Sequence, residues 1–130
     1  MATLAGKRIL VVEDDYLIAS DLRRQLVAAS AEVIGPVADV EGARRLIEAE
    51  LPDAAVLDVD LNGHWSLPLA DRLVAVGVPH LFVTGYDAET LPDAYRATPR
   101  LTKPYADAAL ISSVSALCGQ EERAGQGDRE

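Results

Sequence analysis

Apolar residues recur along the chain in two alternating rhythms. Short runs bounded by turn residues occur at Arg8-Ile9-Leu10-Val11-Val12, Glu32 to Val37, Ala54 to Asp58, Pro79 to Thr84 and Arg100-Leu101-Thr102. Each reads as a strand, and the Ala54 to Asp58 run as a buried parallel one. Between them the apolar positions fall at helical spacing. The first helix carries Ile18, Leu22, Leu26 and Ala29 with charged residues between them, and an Asp at its start can cap it. The second, capped by Asp39 and ended by Pro52, turns Ala43, Leu46, Ile47 and Leu51 inward. The third runs from about Ser66 to Val76, with Leu69, Ala70, Leu73 and Val74 inward and Gly77 as its stop. The last carries Leu110, Ile111, Val114, Leu117 and Cys118, and Gly119 is its expected end. Pro36 after Gly35 marks the second strand as an edge strand. Tyr86 to Ala97 has only a weak helical pattern, limited by Pro92.

Strands alternating with helices predict an α/β fold with right-handed crossovers. The expected architecture is a flavodoxin-like, doubly wound, five-stranded parallel sheet of order 2-1-3-4-5, with helices on both faces. One domain over residues 7–118 is expected, followed by a polar, Gly-rich tail, 119–130, read as disordered. Hydrophobic residues at 49% exclude a wholly disordered chain. A net charge of −9 argues against nucleic acid or an anionic membrane as a direct partner. Cys118 is the one cysteine, so no internal disulfide forms. That fits a reducing, cytoplasmic setting, with Cys118 in the core. No apolar run approaches a membrane span, and Met1 to Lys7 lacks a signal-peptide core.

In that strand order four strand ends meet at one crevice. They bring together Glu13, Asp14 and Asp15; Asp58; Thr84; and Lys103. Carboxylates packed together repel and raise one another's pKa. A divalent cation resolves the conflict, and Mg²⁺ favours oxygen ligands, a few carboxylates and a phosphate oxygen. A carboxylate is also a competent nucleophile for aspartyl-phosphate formation. Asp58 is therefore the candidate phosphoacceptor, with Lys103 as a point charge and Thr84 as a hydroxyl donor for phosphoryl oxygens. Singly, each of these residues is ordinary turn, cap or surface chemistry. The combination at four strand ends carries the inference.

Val11-Val12-Glu13-Asp14-Asp15, Leu57-Asp58, Val83-Thr84-Gly85 and Lys103-Pro104 resemble the signature of the response-regulator receiver domain of two-component signalling. The resemblance implies that Asp58 takes a phosphoryl group from a histidine kinase. It implies Asp14 as a direct Mg²⁺ ligand, Glu13 as its outer-shell partner and the backbone carbonyl of Asp60 as a further ligand. It places Asp15 outside the acid pair, nearer the helix start. The protein would catalyse only its own phosphorylation and dephosphorylation, so it is not expected to be an enzyme acting on other substrates.

Two positions depart from the common receiver pattern. The turn after the acceptor, Leu61-Asn62-Gly63-His64-Trp65-Ser66-Leu67-Pro68, lacks the early Pro, and Arg100 stands where most receivers carry an aromatic. With Leu81 to Tyr86 and Pro99 to Tyr105, these features are similar to the FAT GUY group of receivers, although Val83 stands where that name has Ala. The group is served by HWE-type and related histidine kinases. Expected partners are such a kinase and a downstream protein or phosphotransfer protein, with the domain a monomer or weak dimer. Two rivals remain at this point. Asp58 and Asp60 also resemble the nucleophile motif of haloacid-dehalogenase-type phosphatases, but in that family the nucleophile strand comes early and an acidic pair follows the Lys. A receiver-shaped binding module that is never phosphorylated is the other. His64, Trp65, Tyr86 and Tyr105 are candidate partner contacts, and His80 is read as structural.

Overall fold

The computed structural model describes residues 4–61, 63–85 and 91–127, with residues 120–127 as backbone path only. Strand β1 spans Arg8–Val12 and helix α1 Tyr16–Ala28. Strand β2 spans Glu32–Val37, helix α2 Val40–Ala49 and β3 Ala54–Asp58. A short hairpin of β4, Asp60–Leu61, and β5, His64–Trp65, precedes α3, Leu67–Ala75. Strand β6 spans His80–Thr84. A 3-10 turn at Asp93–Tyr95, β7 at Arg100–Thr102 and α4 at Asp107–Gly127 complete the chain.

The main sheet has order β2-β1-β3-β6-β7, and every neighbouring pair is parallel. The expected 2-1-3-4-5 order therefore holds, with β6 and β7 as its fourth and fifth strands. The β4–β5 hairpin is additional and antiparallel. Alternation along the strands divides the core in two. Leu10, Val12, Ala55, Leu57 and Phe82 face Ala43 and Ile47 of α2 and Leu69 and Leu73 of α3. Ile9, Val11, Val56, Leu81 and Val83 face Leu22 and Leu26 of α1 and Leu110, Val114 and Leu117 of α4. All five residues of β3 are buried. A slip of one residue would exchange the two faces and carry Asp58 off the sheet's carboxyl edge, so packing fixes where the carboxylate stands.

The helix ends follow local chemistry. The Asp15 carboxylate accepts from the Leu17 and Ile18 amides at 2.9 and 3.1 Å, and Asp39 accepts from the Gly42 amide at 2.7 Å. Each satisfies an otherwise orphaned donor of the first turn. Gly77 takes φ +78° after α3, the left-handed stop that glycine adopts without strain. On β2, Gly35 has φ +92°, and a Cβ there would stand 2.9 Å from the Val37 nitrogen. The β1–β2 register shifts at this point, as an edge strand allows.

Three sequence expectations are corrected. Val74 is 70% exposed rather than inward. On a helix of 3.6 residues per turn Val74 lies about 100° beyond Leu73, which carries it off the Leu69–Leu73 stripe. Leu51 is 52% exposed, because α2 ends at Ala49 and Glu50 is already extended. Gly119 does not stop α4, which runs on to Gly127 through Gln120-Glu121-Glu122-Arg123-Ala124, all good helix formers. The backbone of 119–127 is thus helical. Among the described residues, Cys118 is the last member of either core cluster. Tyr86, Asn62 and the terminal residues 128–130 lie outside the described residues. Among those described, no helix is long and apolar enough to cross a membrane.

Candidate functional site

The carboxyl ends of β1, β3, β6 and β7 converge, and each delivers one part of the site. Glu13 follows β1 and is held there by its amide, which donates to the Val37 carbonyl at 3.0 Å. Its side chain is 1% exposed. Asp14 is exposed beside it. Asp58 ends β3, with 8% exposure. Thr84 ends β6 and is fully buried. Its register places it one residue beyond Val83, the partner of Asp58. Lys103 follows β7, anchored by its amide on the Thr84 carbonyl at 2.8 Å. Glu13, Asp14, Asp58 and Lys103 are therefore brought together, with Thr84 at the neighbouring strand end. Asp15 stands apart as the α1 cap, as expected, although its amide donates to the Glu13 carboxylate at 3.1 Å.

Lys103 ties the acids together. Its Nζ lies 3.1 Å from Glu13 Oε1 and 3.2 Å from Asp58 Oδ2. The other Asp58 oxygen, Oδ1, accepts from the Asp60 amide at 3.1 Å. The Asp58 carboxylate is thus gripped from the β7 side by a cation and from the hairpin side by a backbone donor. Burial pushes the Glu13 carboxyl up to about 7, and the adjacent Asp58 carboxylate adds to the rise. Burial alone would pull the Lys103 ammonium down, but Asp58 and Glu13 reverse this and leave it above its ordinary value. Burial likewise pushes the Tyr105 hydroxyl up to about 12, with Asp21, Glu13 and Asp107 adding to it.

Glu13, Asp14 and Asp58 each offer a carboxylate oxygen, and these oxygens lie within 4.8 Å of one another. An all-carboxylate donor set of this size suits a hard divalent cation such as Mg²⁺ and suits soft metals poorly. The Asp60 side chain does not join this set. Its Oδ1 accepts from the Gly63 amide at 2.8 Å and closes the hairpin turn.

Sequence reasoning missed Ser66. It is fully buried, and its hydroxyl donates to the Asp58 backbone carbonyl at 2.6 Å. A serine just before a helix reads as an N-cap, so nothing in the sequence points from it to the strand. His80, read as structural, is buried at the opposite end of β6, edge-on to Phe82 with ring centroids 5.5 Å apart. His64 and Trp65 are exposed on the hairpin. A cavity of about 530 Å³ opens next to Lys103, lined by Leu17, Ile18, Asp21, Pro104 and Tyr105.

A parallel sheet of this order with an acid cluster, the Asp58 carboxylate, a buried threonine and a lysine at its carboxyl edge is the arrangement of a receiver domain. The chain belongs to the response regulator receiver domain family, whose model matches residues 9–115. The transcriptional regulatory protein PdtaR of Mycobacterium tuberculosis is 27% identical over 112 residues, covering 83% of this chain and 55% of that protein. The crystal structure of the response regulator PhyR from Brucella abortus is similar at TM-score 0.84 and 25% identity, over 97% of this chain and 53% of that one. The solution structure of SdrG from Sphingomonas melonis Fr1 is similar at TM-score 0.76 and 36% identity, over 90% and 98%. The chain spans about half the length of the curated relatives it matches.

Proposed function

We propose that this receiver accepts a phosphoryl group on Asp58 from a histidine kinase, in a Mg²⁺-dependent reaction, and signals through phosphorylation-dependent partner binding or phosphorelay. The observation that carries the reading is the buried Asp58 carboxylate clustered with Glu13 and Asp14 and bridged by Lys103. An oxygen of Asp58 attacks phosphorus and forms the acyl-phosphate bond, while the phosphorus–nitrogen bond to the donor histidine breaks and its electron pair returns to the imidazole. Glu13, Asp14 and Asp58, with the Asp60 carbonyl, would hold Mg²⁺, which screens the carboxylate from the incoming anion and stabilises charge on its oxygens. Lys103 holds a phosphoryl oxygen, and the Thr84 hydroxyl donates to another.

The chemistry is confined to the domain's own aspartate. A donor would approach over the apolar groove of Leu17, Ile18 and Tyr105 that opens beside Lys103. The resemblance to the FAT GUY group makes HWE-type kinases the first donors to try. The domain boundary at about residue 118 is kept as part of this reading. The test is labelling with acetyl phosphate or a phosphorylated kinase, with and without chelator. Label should appear only with Mg²⁺ and vanish in Asp58→Asn. Label retained by that variant, or undiminished by chelator, overturns the assignment.

A further inference from the structure

Ser66 occupies the N-cap position of α3 yet makes no side-chain cap. The reason lies in the next turn. Pro68 has no amide to offer, and the Leu69 amide already donates to the Ser66 backbone carbonyl at 2.9 Å. The hydroxyl instead turns back to the Asp58 carbonyl at 2.6 Å. The Ser66 amide makes a second bond to the same stretch, donating to the Val59 carbonyl at 2.8 Å. Both bonds span the hairpin, joining Asp58 at the end of β3 and Val59 after it to the residue that precedes α3.

The consequence falls on the acceptor. With its carbonyl tied to Ser66, the peptide plane after Asp58 is fixed. That plane leads within two bonds of backbone to the Asp60 amide, which donates to Asp58 Oδ1 at 3.1 Å. The carboxylate orientation therefore rests on a loop closed at both ends. We infer that Ser66 is a positioning residue for Asp58. Its buried hydroxyl clamps the β3–hairpin junction, so that the carboxylate meets the phosphoryl donor and the Asp60 backbone meets the metal in one fixed arrangement. The inference rests on the phosphoacceptor reading of Asp58 for its functional part, but the clamp itself exists without metal or phosphate.

The test compares the full chain with Ser66→Ala and Ser66→Thr, each assayed below its melting midpoint by circular dichroism. In the metal-free proteins, loss of the hydroxyl should speed amide exchange at Asp60 about tenfold, as removal of one buried bond predicts. Threonine keeps the hydroxyl and should stay within about threefold of the parent. Where its added methyl lowers the midpoint below that of Ser66→Ala, Ser66→Cys replaces it and should fall between parent and alanine. In the second arm, labelling by acetyl phosphate at saturating Mg²⁺ should slow about tenfold in folded Ser66→Ala, because near-attack geometry is lost. A purely structural serine would lower the midpoint and leave the folded protein's rate unchanged. Parent-like exchange at Asp60, or a parent-like labelling rate in folded Ser66→Ala, overturns the inference. If the parent takes no label, or Asp58→Asn keeps it, the phosphoacceptor reading fails instead, and the exchange arm still decides the clamp.

Discussion

Replacing Arg100 with alanine should loosen the segment that enters β7. Arg100 stands where common receivers place an aromatic, and a guanidinium turned into an apolar hollow would lose hydration without return. It does not turn in. Its Nη1 donates to the Arg96 carbonyl at 3.0 Å and to the Thr98 carbonyl at 3.3 Å. The same segment is held on its other side by Tyr95, whose hydroxyl donates to Asp71 at 2.6 Å and whose ring lies 6.3 Å from that of Phe82. A hydrogen bond from a charged donor contributes about 1.5–3 kcal/mol net when buried. These two are exposed or half-exposed, so about 1 kcal/mol for the pair is the scale, or a factor of about five in local opening. The amides that report it are those of Tyr95, Arg96 and Thr98, which donate to Pro92, Asp93 and Tyr95 carbonyls. Hydrogen exchange at these three should quicken about fivefold in Arg100→Ala, with the core strands unchanged. Unchanged protection at all three would show that Arg100 holds nothing, and the reasoning from its bonds fails.

Three further outcomes are expected. Lys103→Met removes the cation that competes for Glu13 and Asp58, so calorimetry should show tighter Mg²⁺ binding, by about tenfold at least for a charge this close, while labelling from acetyl phosphate slows. Burial holds the His80 imidazole below its ordinary value of 6.5, so its stabilising effect is complete above that value and is lost as pH falls through it toward the folded pKa. His80→Leu should flatten the melting-midpoint dependence on that acid side, and an unchanged slope would acquit His80. Deleting residues 120–130 should shift the midpoint by less than about 3 °C, the equivalent of under about 1 kcal/mol, because the segment has almost no apolar residue to bury.

What the sequence made legible was what repeats at a fixed period or sits at a strand end. Buried strands are continuous apolar runs, so β1, β3 and β6 declared themselves, and parallel topology carried Glu13, Asp58, Thr84 and Lys103 to one edge. The hairpin was not legible. Its strands are two residues each, too short for alternation to register. Ser66 was hidden for a related reason: its bond crosses eight residues to a backbone carbonyl, and a carbonyl has no sequence signature. The exposed Val74 and Leu51 show the limit of an apolar pattern read without the neighbouring layer. The pattern says which residues can be buried, and the packed partner decides which are. The run of α4 past Gly119 shows glycine as a permissive stop, not an obligatory one.

The Lys103 bridge and the Arg100 bonds lie on the same short element, and this bears on how a change at Asp58 travels. Lys103 follows β7 directly, and Arg100 begins it. The Lys103 amide is fixed to the Thr84 carbonyl, so β6 and β7 move at this end as a pair. A phosphoryl group on Asp58 would draw the Lys103 ammonium off Glu13 and the Thr84 hydroxyl inward, and both act on the ends of strands whose far side carries Arg100. Exchange at Tyr95, Arg96 and Thr98 should differ between the free and beryllium-fluoride-activated protein, and that difference should shrink in Arg100→Ala. A difference that persists in full would mean that the change reaches the segment from Thr84 through residues 85–92, leaving β7 out of the path. Equal protection in both states of the parent, with a partner still telling them apart, would remove this segment from the readout altogether. The hairpin held by Ser66, whose Asp60 amide donates to Asp58 Oδ1, would then be the next element to follow.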